Sequence, residues 1–76
     1  MSSLTRLAIR GRFIELYKIL KLVDLAESGG EAKQLIAAGR VLVNGSVETR
    51  KRRKVRPGET ISCLGREVRI TGSPES

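Results

Sequence analysis

The chain has 76 residues, with 15 Lys and Arg against 8 Asp and Glu, a single Cys and no His. That length holds one domain with a small core and leaves little room for a deep substrate cavity. Cys63 alone excludes an intrachain disulfide or a zinc cluster, and no apolar run nears the ~18 residues of a membrane span.

Residues 1–3 and 72–76 read as flexible ends around a domain covering residues 4–71. Arg6, Arg10 and Arg12 interrupt the N-terminal apolar positions, so no signal peptide is expected, and one reduced thiol fits a cytoplasmic setting. Over residues 5–10 Leu7 and Ile9 alternate with Arg6 and Arg10, the period of a short strand, and Gly11 breaks it. Residues 13–22 place Phe13, Leu16, Tyr17 and Leu20 at helical spacing, a core-facing stripe with Glu15, Lys18 and Lys21 off it.

Ser28-Gly29-Gly30-Glu31 has the form of a capping box, in which the Ser hydroxyl accepts from the Glu31 N–H and the Glu carboxylate reaches back. A second helix is therefore predicted from Gly29 to Ala38, with Ala32, Leu35 and Ile36 buried and Gly39 ending it in the left-handed conformation. Val41-Leu42-Val43, Asn44-Gly45 and Ser46-Val47-Glu48 form a hairpin signal, because a type I′ turn needs the positive φ that Asn and Gly tolerate.

Next comes the cationic run of Arg50, Lys51, Arg52, Arg53, Lys54 and Arg56, interrupted only by Val55. Pro57-Gly58 fits a type II turn, and residues 60–64 and 67–71 read as two strands around Gly65-Arg66. Cys63 falls in the first of these as a small core residue. The order predicts an α+β domain: two α-helices packed on a small, mainly antiparallel sheet of four to five short strands.

Without the six cations of residues 50–56 the balance is nine Lys and Arg against eight Asp and Glu, so the basicity is local. Packed like charges repel one another unless an anion neutralises them, and nucleic acid offers regularly spaced anions. A solvated run with no ligand is the plainer reading. No enzyme is expected: histidine is absent, the carboxylates are scattered, and Cys63 has no activating partner. No cofactor or metal is expected either.

On the second helix Lys33, Ala37 and Arg40 fall along one edge. Gly29 and Gly30 leave bare N–H groups at its start, either a phosphate seat or a flexible entry to the helix. In a strand-like run, Arg50, Arg52 and Lys54 would face the ligand while Lys51 and Arg53 face water, or the reverse. With Phe13 and Tyr17 assigned to the core stripe, no exposed rings remain for stacking bases, leaving phosphate contacts and shape.

Ser28-Gly29-Gly30-Glu31-Ala32-Lys33, then Ile36, Gly39, Val41, Val43-Asn44-Gly45, Val55 and Pro57-Gly58, resembles the S4 RNA-binding domain, also called the αL motif. The similarity covers residues 13–70, and Glu48-Thr49-Arg50-Lys51-Arg52 resembles the short free-standing bacterial members of the YbcJ type. The resemblance implies binding of structured RNA, often ribosomal, by a surface made from the second helix and the adjoining hairpin; the expected partners are that RNA or ribosomal particles, with no membrane and a monomeric chain. It carries over Ser28, Lys33, Arg40, Asn44, Gly45 and the basic stretch after Thr49 as contact residues. Two departures from the pattern stand out: many members have Arg where this chain has Gly29, and Arg-Leu-Asp where it has Glu15-Leu16-Tyr17. The alternatives are a protein-interaction module docking its basic loop on an acidic partner, and a non-specific DNA binder.

Overall fold

The computed structural model describes residues 3–72. In chain order these form β1 (Ser3–Ile9), β2 (Ile14–Glu15), α1 (Leu16–Leu22), α2 (Gly29–Ala37), β3 (Val41–Val43), β4 (Ser46–Val47), β5 (Lys54–Val55), β6 (Thr60–Cys63) and β7 (Arg66–Gly72). Five strands make one sheet in the order β1-β7-β6-β3-β4, while β2 and β5 pair separately. Every pairing is antiparallel except β1 with β7. The expected α+β architecture is the observed one. The flexible ends expected at residues 1, 2 and 73–76 lie outside the described residues, whereas Ser3 and Gly72 sit within β1 and β7.

Turn chemistry decides much of this. Asn44 and Gly45 have φ of 53° and 86°, the doubly positive pair that a tight hairpin needs. Gly58, at φ 97°, follows Pro57 in a turn closed by the Glu59 N–H donating to the Arg56 carbonyl at 3.1 Å. The β6–β7 turn lies one residue earlier than expected: Leu64 and Gly65 have φ of 51° and 79°, and Arg66 already belongs to β7. Helix α2 ends at Ala37 with Ala38 as its C-cap. Gly39 then donates to the Ile36 carbonyl at 3.0 Å and Arg40 to the Leu35 carbonyl at 3.2 Å, a Schellman closure. Arg40 thus lies beyond the helix and not on its edge.

Alternate strand residues Val41, Val43, Ile61, Cys63, Val68 and Ile70 are buried with Leu16, Ile19, Leu20, Ala32 and Ile36 in one core. Each fully buried Leu or Ile contributes roughly 2 kcal/mol.

The first helix departs from expectation. It begins at Leu16, because the backbone of Ile14–Glu15 pairs with Lys54–Val55. Its buried residues are Leu16, Ile19 and Leu20, with Val23 just beyond. Phe13, assigned above to the core stripe, is 42% exposed, and Tyr17 is only half-buried. No helix among the described residues is long and apolar enough to cross a membrane.

Candidate nucleic-acid interface

The cationic run is not one strand. The Arg53 N–H donates to the Arg50 carbonyl at 3.3 Å, closing a turn over Lys51 and Arg52 before Lys54 enters β5. The alternation of facing residues expected for residues 50–54 therefore fails in its first half. Two carbonyls of this loop point at α1: Leu16 donates to Arg53 O at 2.9 Å and Tyr17 to Lys51 O at 3.1 Å. Glu15, the N-cap residue, supplies no side-chain cap, so the loop backbone takes that role. The loop is thereby pinned by its main chain.

Two carboxylates sort the six cations. Glu48 accepts from Arg50 Nε and Nη2, each at 3.0 Å, and also lies 3.1 Å from Arg53 Nε. Arg53 Nη1 reaches Glu59 at 2.5 Å. The Arg53 side chain is only 23% exposed, against 75% for Arg50 and 72% for Arg52. Hydrogen bonds from the Arg50 guanidinium, then from its N–H, hold the Glu48 carboxyl down at about 2. The same contact raises the Arg50 guanidinium further above its usual range. Arg52 comes no nearer than 4.0 Å to Glu15, and the side chains of Lys51, Lys54 and Arg56 are exposed without a carboxylate partner among the described residues. Arg50, Arg52, Arg53, Lys54, Arg56 and Glu59 line one shallow depression.

Helix α2 meets this loop through Tyr17. Lys33 Nζ lies 4.8 Å from the Tyr17 ring centroid, and a Cβ at Gly29 would stand 3.7 Å from Tyr17 Cε2. The residue whose N–H binds Lys51 O thus also packs against the start of α2. Ser28 caps that helix, its Oγ accepting from the Glu31 N–H at 3.1 Å. The reciprocal bond expected from Glu31 is not made among the described residues, and Gly30 is exposed.

Of the other expected contact residues, Arg40 sits apart from the loop, whereas Asn44 adjoins it through Glu59. Arg40 lines a separate depression with Leu42, Ser62, Leu64 and Arg66. Asn44 ties strands together: its Oδ1 accepts the Thr60 N–H at 3.0 Å and its Nδ2 donates to Glu59 at 3.4 Å. Gly45 is the second residue of that turn. Phe13 was missed as a surface residue, and the spacing of Leu16, Ile19, Leu20 and Val23 is the signal that would have placed it there; Tyr17 packs half-buried against the edge of the core. Lys54 Nζ lies 4.9 Å above the Phe13 ring. Cys63 is buried, which pushes its thiol up, away from the reactive thiolate. Among the described residues no three His, Cys, Asp or Glu side chains converge as metal ligands.

A family model described as the S4 domain matches residues 7–71. "Putative RNA-binding protein YbcJ" of Escherichia coli K12 is 49% identical over 57 residues, 75% of this chain and 81% of that protein. "Probable ribosome maturation protein RlbA" of Bacillus subtilis is 36% identical over 59 residues, 78% of this chain and 83% of its own. The solution structure of E. coli YbcJ, described as revealing an αL motif involved in RNA binding, superposes with a TM-score of 0.66 at 42% identity. That match covers 91% of this chain and 86% of the other.

Proposed function

The chain belongs to the S4 domain family, and from that premise we propose that it is a non-catalytic module binding structured RNA. Its surface comprises the loop of residues 50–56 and the adjoining start of α2. The observation that carries this reading is the position of Tyr17, bonded through its backbone to Lys51, with its ring beneath the Lys33 ammonium and lining one depression with Gly29. One residue of α1 holds both parts of the surface side by side.

Lys51, Arg52, Lys54 and Arg56 take phosphates, the Arg forks binding two oxygens at once. Arg53 holds the loop in shape through Glu48 and Glu59. Arg50 does both, since its guanidinium is largely exposed while bonded to Glu48. The names of the YbcJ and RlbA relatives support RNA binding and ribosome maturation respectively, and the reading extends from them to ribosomal RNA, free or in ribosomal particles, bound by a monomer in the cytoplasm.

Titration of the protein against a folded ribosomal RNA fragment, a DNA duplex and a poly-glutamate peptide at matched salt tests the reading. A-form RNA presents a wide, shallow minor groove lined with 2′-hydroxyls, which B-form DNA lacks. The expected order is RNA well ahead of both others. Equal affinity for the peptide would favour an acidic protein partner, and equal affinity for DNA would reduce the interaction to charge alone.

A further inference from the structure

We infer that the depression beside the cationic loop seats one unpaired nucleobase of the RNA against the ring of Tyr17, an inference that rests on the RNA-binding reading above. Ile14, Tyr17, Lys18, Lys21, Leu22 and Gly29 line this depression. Its floor is apolar and its rim carries ammonium groups. Phosphates have no use for an apolar floor, whereas a base has a flat face that stacks on an aromatic ring whatever its sequence.

Gly29 is the second observation. Its φ is not in the left-handed region, and an added Cβ would meet Tyr17 Cε2 at 3.7 Å, an ordinary van der Waals contact. Neither the backbone nor the space for one methyl group requires glycine, although glycine is a poor helix former. A longer side chain, in contrast, would lie over the edge of the ring. Glycine at this position keeps Tyr17 open. Two of the residues at which the chain departs from the family pattern, Tyr17 and Gly29, therefore line the same depression.

Charge then selects the occupant. Lys33 Nζ stands 4.8 Å and Lys18 Nζ 5.9 Å from the ring centroid. Lys18 is paired with Glu15 at 3.3 Å, but Lys21 has no carboxylate within reach among the described residues. These ammonium groups meet the phosphates flanking a seated base. The Tyr17 N–H bond to Lys51 O puts the seat next to the phosphate-binding loop, so one nucleotide beside the gripped backbone reaches it. A base inside a duplex stack cannot enter. The RNA must therefore offer a bulged or looped nucleotide at this point.

The test compares two RNA hairpins identical but for one bulged 2-aminopurine, titrated at fixed salt. The bulged hairpin is expected to bind about tenfold more tightly, with its fluorescence quenched on binding. Gly29→Leu and Tyr17→Leu should each remove that preference and the quenching, so that the bulged hairpin binds no more tightly than the paired one. Gly29→Ala and Tyr17→Phe should keep both. Equal binding of the two hairpins by the wild type, or a preference that survives in Gly29→Leu, overturns the base seat alone. Binding of neither hairpin at low salt overturns the RNA reading and the seat with it.

Discussion

Arg53 donates from Nη1 to a Glu59 carboxylate oxygen 2.5 Å away, joining the cationic loop to the residue that leads into β6. The same guanidinium reaches Glu48 through Nε at 3.1 Å. One cation of the six is thus a structural link between the hairpin arm and β6, not a free charge. Removing it leaves the partly buried Glu59 without a guanidinium partner and Glu48 with Arg50 alone. Arg53→Ala should lower unfolding free energy by about 2 kcal/mol, and Arg52→Ala by less than about 0.5 kcal/mol. Urea denaturation of both variants checks this, and equal midpoints would show that Arg53 is not a structural link.

Acid should weaken the same region. The Glu48 carboxyl titrates near 2 in the fold against an ordinary value of 4.5, chiefly because the Arg50 guanidinium and then the Arg50 N–H bond it. A carboxyl with a depressed folded value adds stability that is fully present above the ordinary value and is lost as pH falls through the folded one. Stability should therefore decline between pH 4.5 and about 2. Glu48→Gln should flatten that decline, and superimposable pH profiles for variant and wild type would refute the assignment.

Leu64 carries a cost the fold can shed. It is an exposed leucine at φ 51°, where a non-glycine residue is strained, and it begins the turn completed by Gly65. Leu64→Asn creates the Asn-Gly pair that such turns favour and should add about 0.5–1 kcal/mol, raising Tm by about 3–6 °C. An unchanged or lower Tm in calorimetry contradicts this.

Asn44 offers a way to separate tie from contact. Its side chain bonds the Thr60 N–H and Glu59, and its φ is 53°. Asn44→Ala should cost about 1–2 kcal/mol in stability while changing RNA affinity less than twofold below the unfolding transition. A loss of affinity without a loss of stability would make Asn44 a ligand contact after all.

How far the sequence revealed this arrangement depended on how local each decision was. The Asn44-Gly45 and Pro57-Gly58 turns, the Ser28 cap and the Gly39 stop are settled by residues within one turn of each other, and all four were legible. The start of α1 was not, because Ile14 and Glu15 pair with Val55 and Lys54, distant in sequence. That pairing delays the helix to Leu16 and turns Phe13 outward. The charge run was conspicuous, yet nothing in it shows which cation is tied. Only the approach of Glu48 and Glu59 distinguishes Arg53 from its neighbours. Arg40 was placed on the α2 edge by counting at helical spacing past Gly39, the residue that ends the helix.

The central claim is that the exposed cations of the loop grip RNA phosphates while Arg53 holds the loop. The most direct measurement is the salt dependence of binding to a folded ribosomal RNA fragment, for the wild type and for Lys51, Arg52 and Lys54 replaced together by Gln. With about four phosphates neutralised, the wild-type log–log slope should be roughly −3 to −4, shrinking in the triple variant by about 2–3 with the melting curve unchanged. A triple variant that keeps the wild-type slope and affinity would contradict the account.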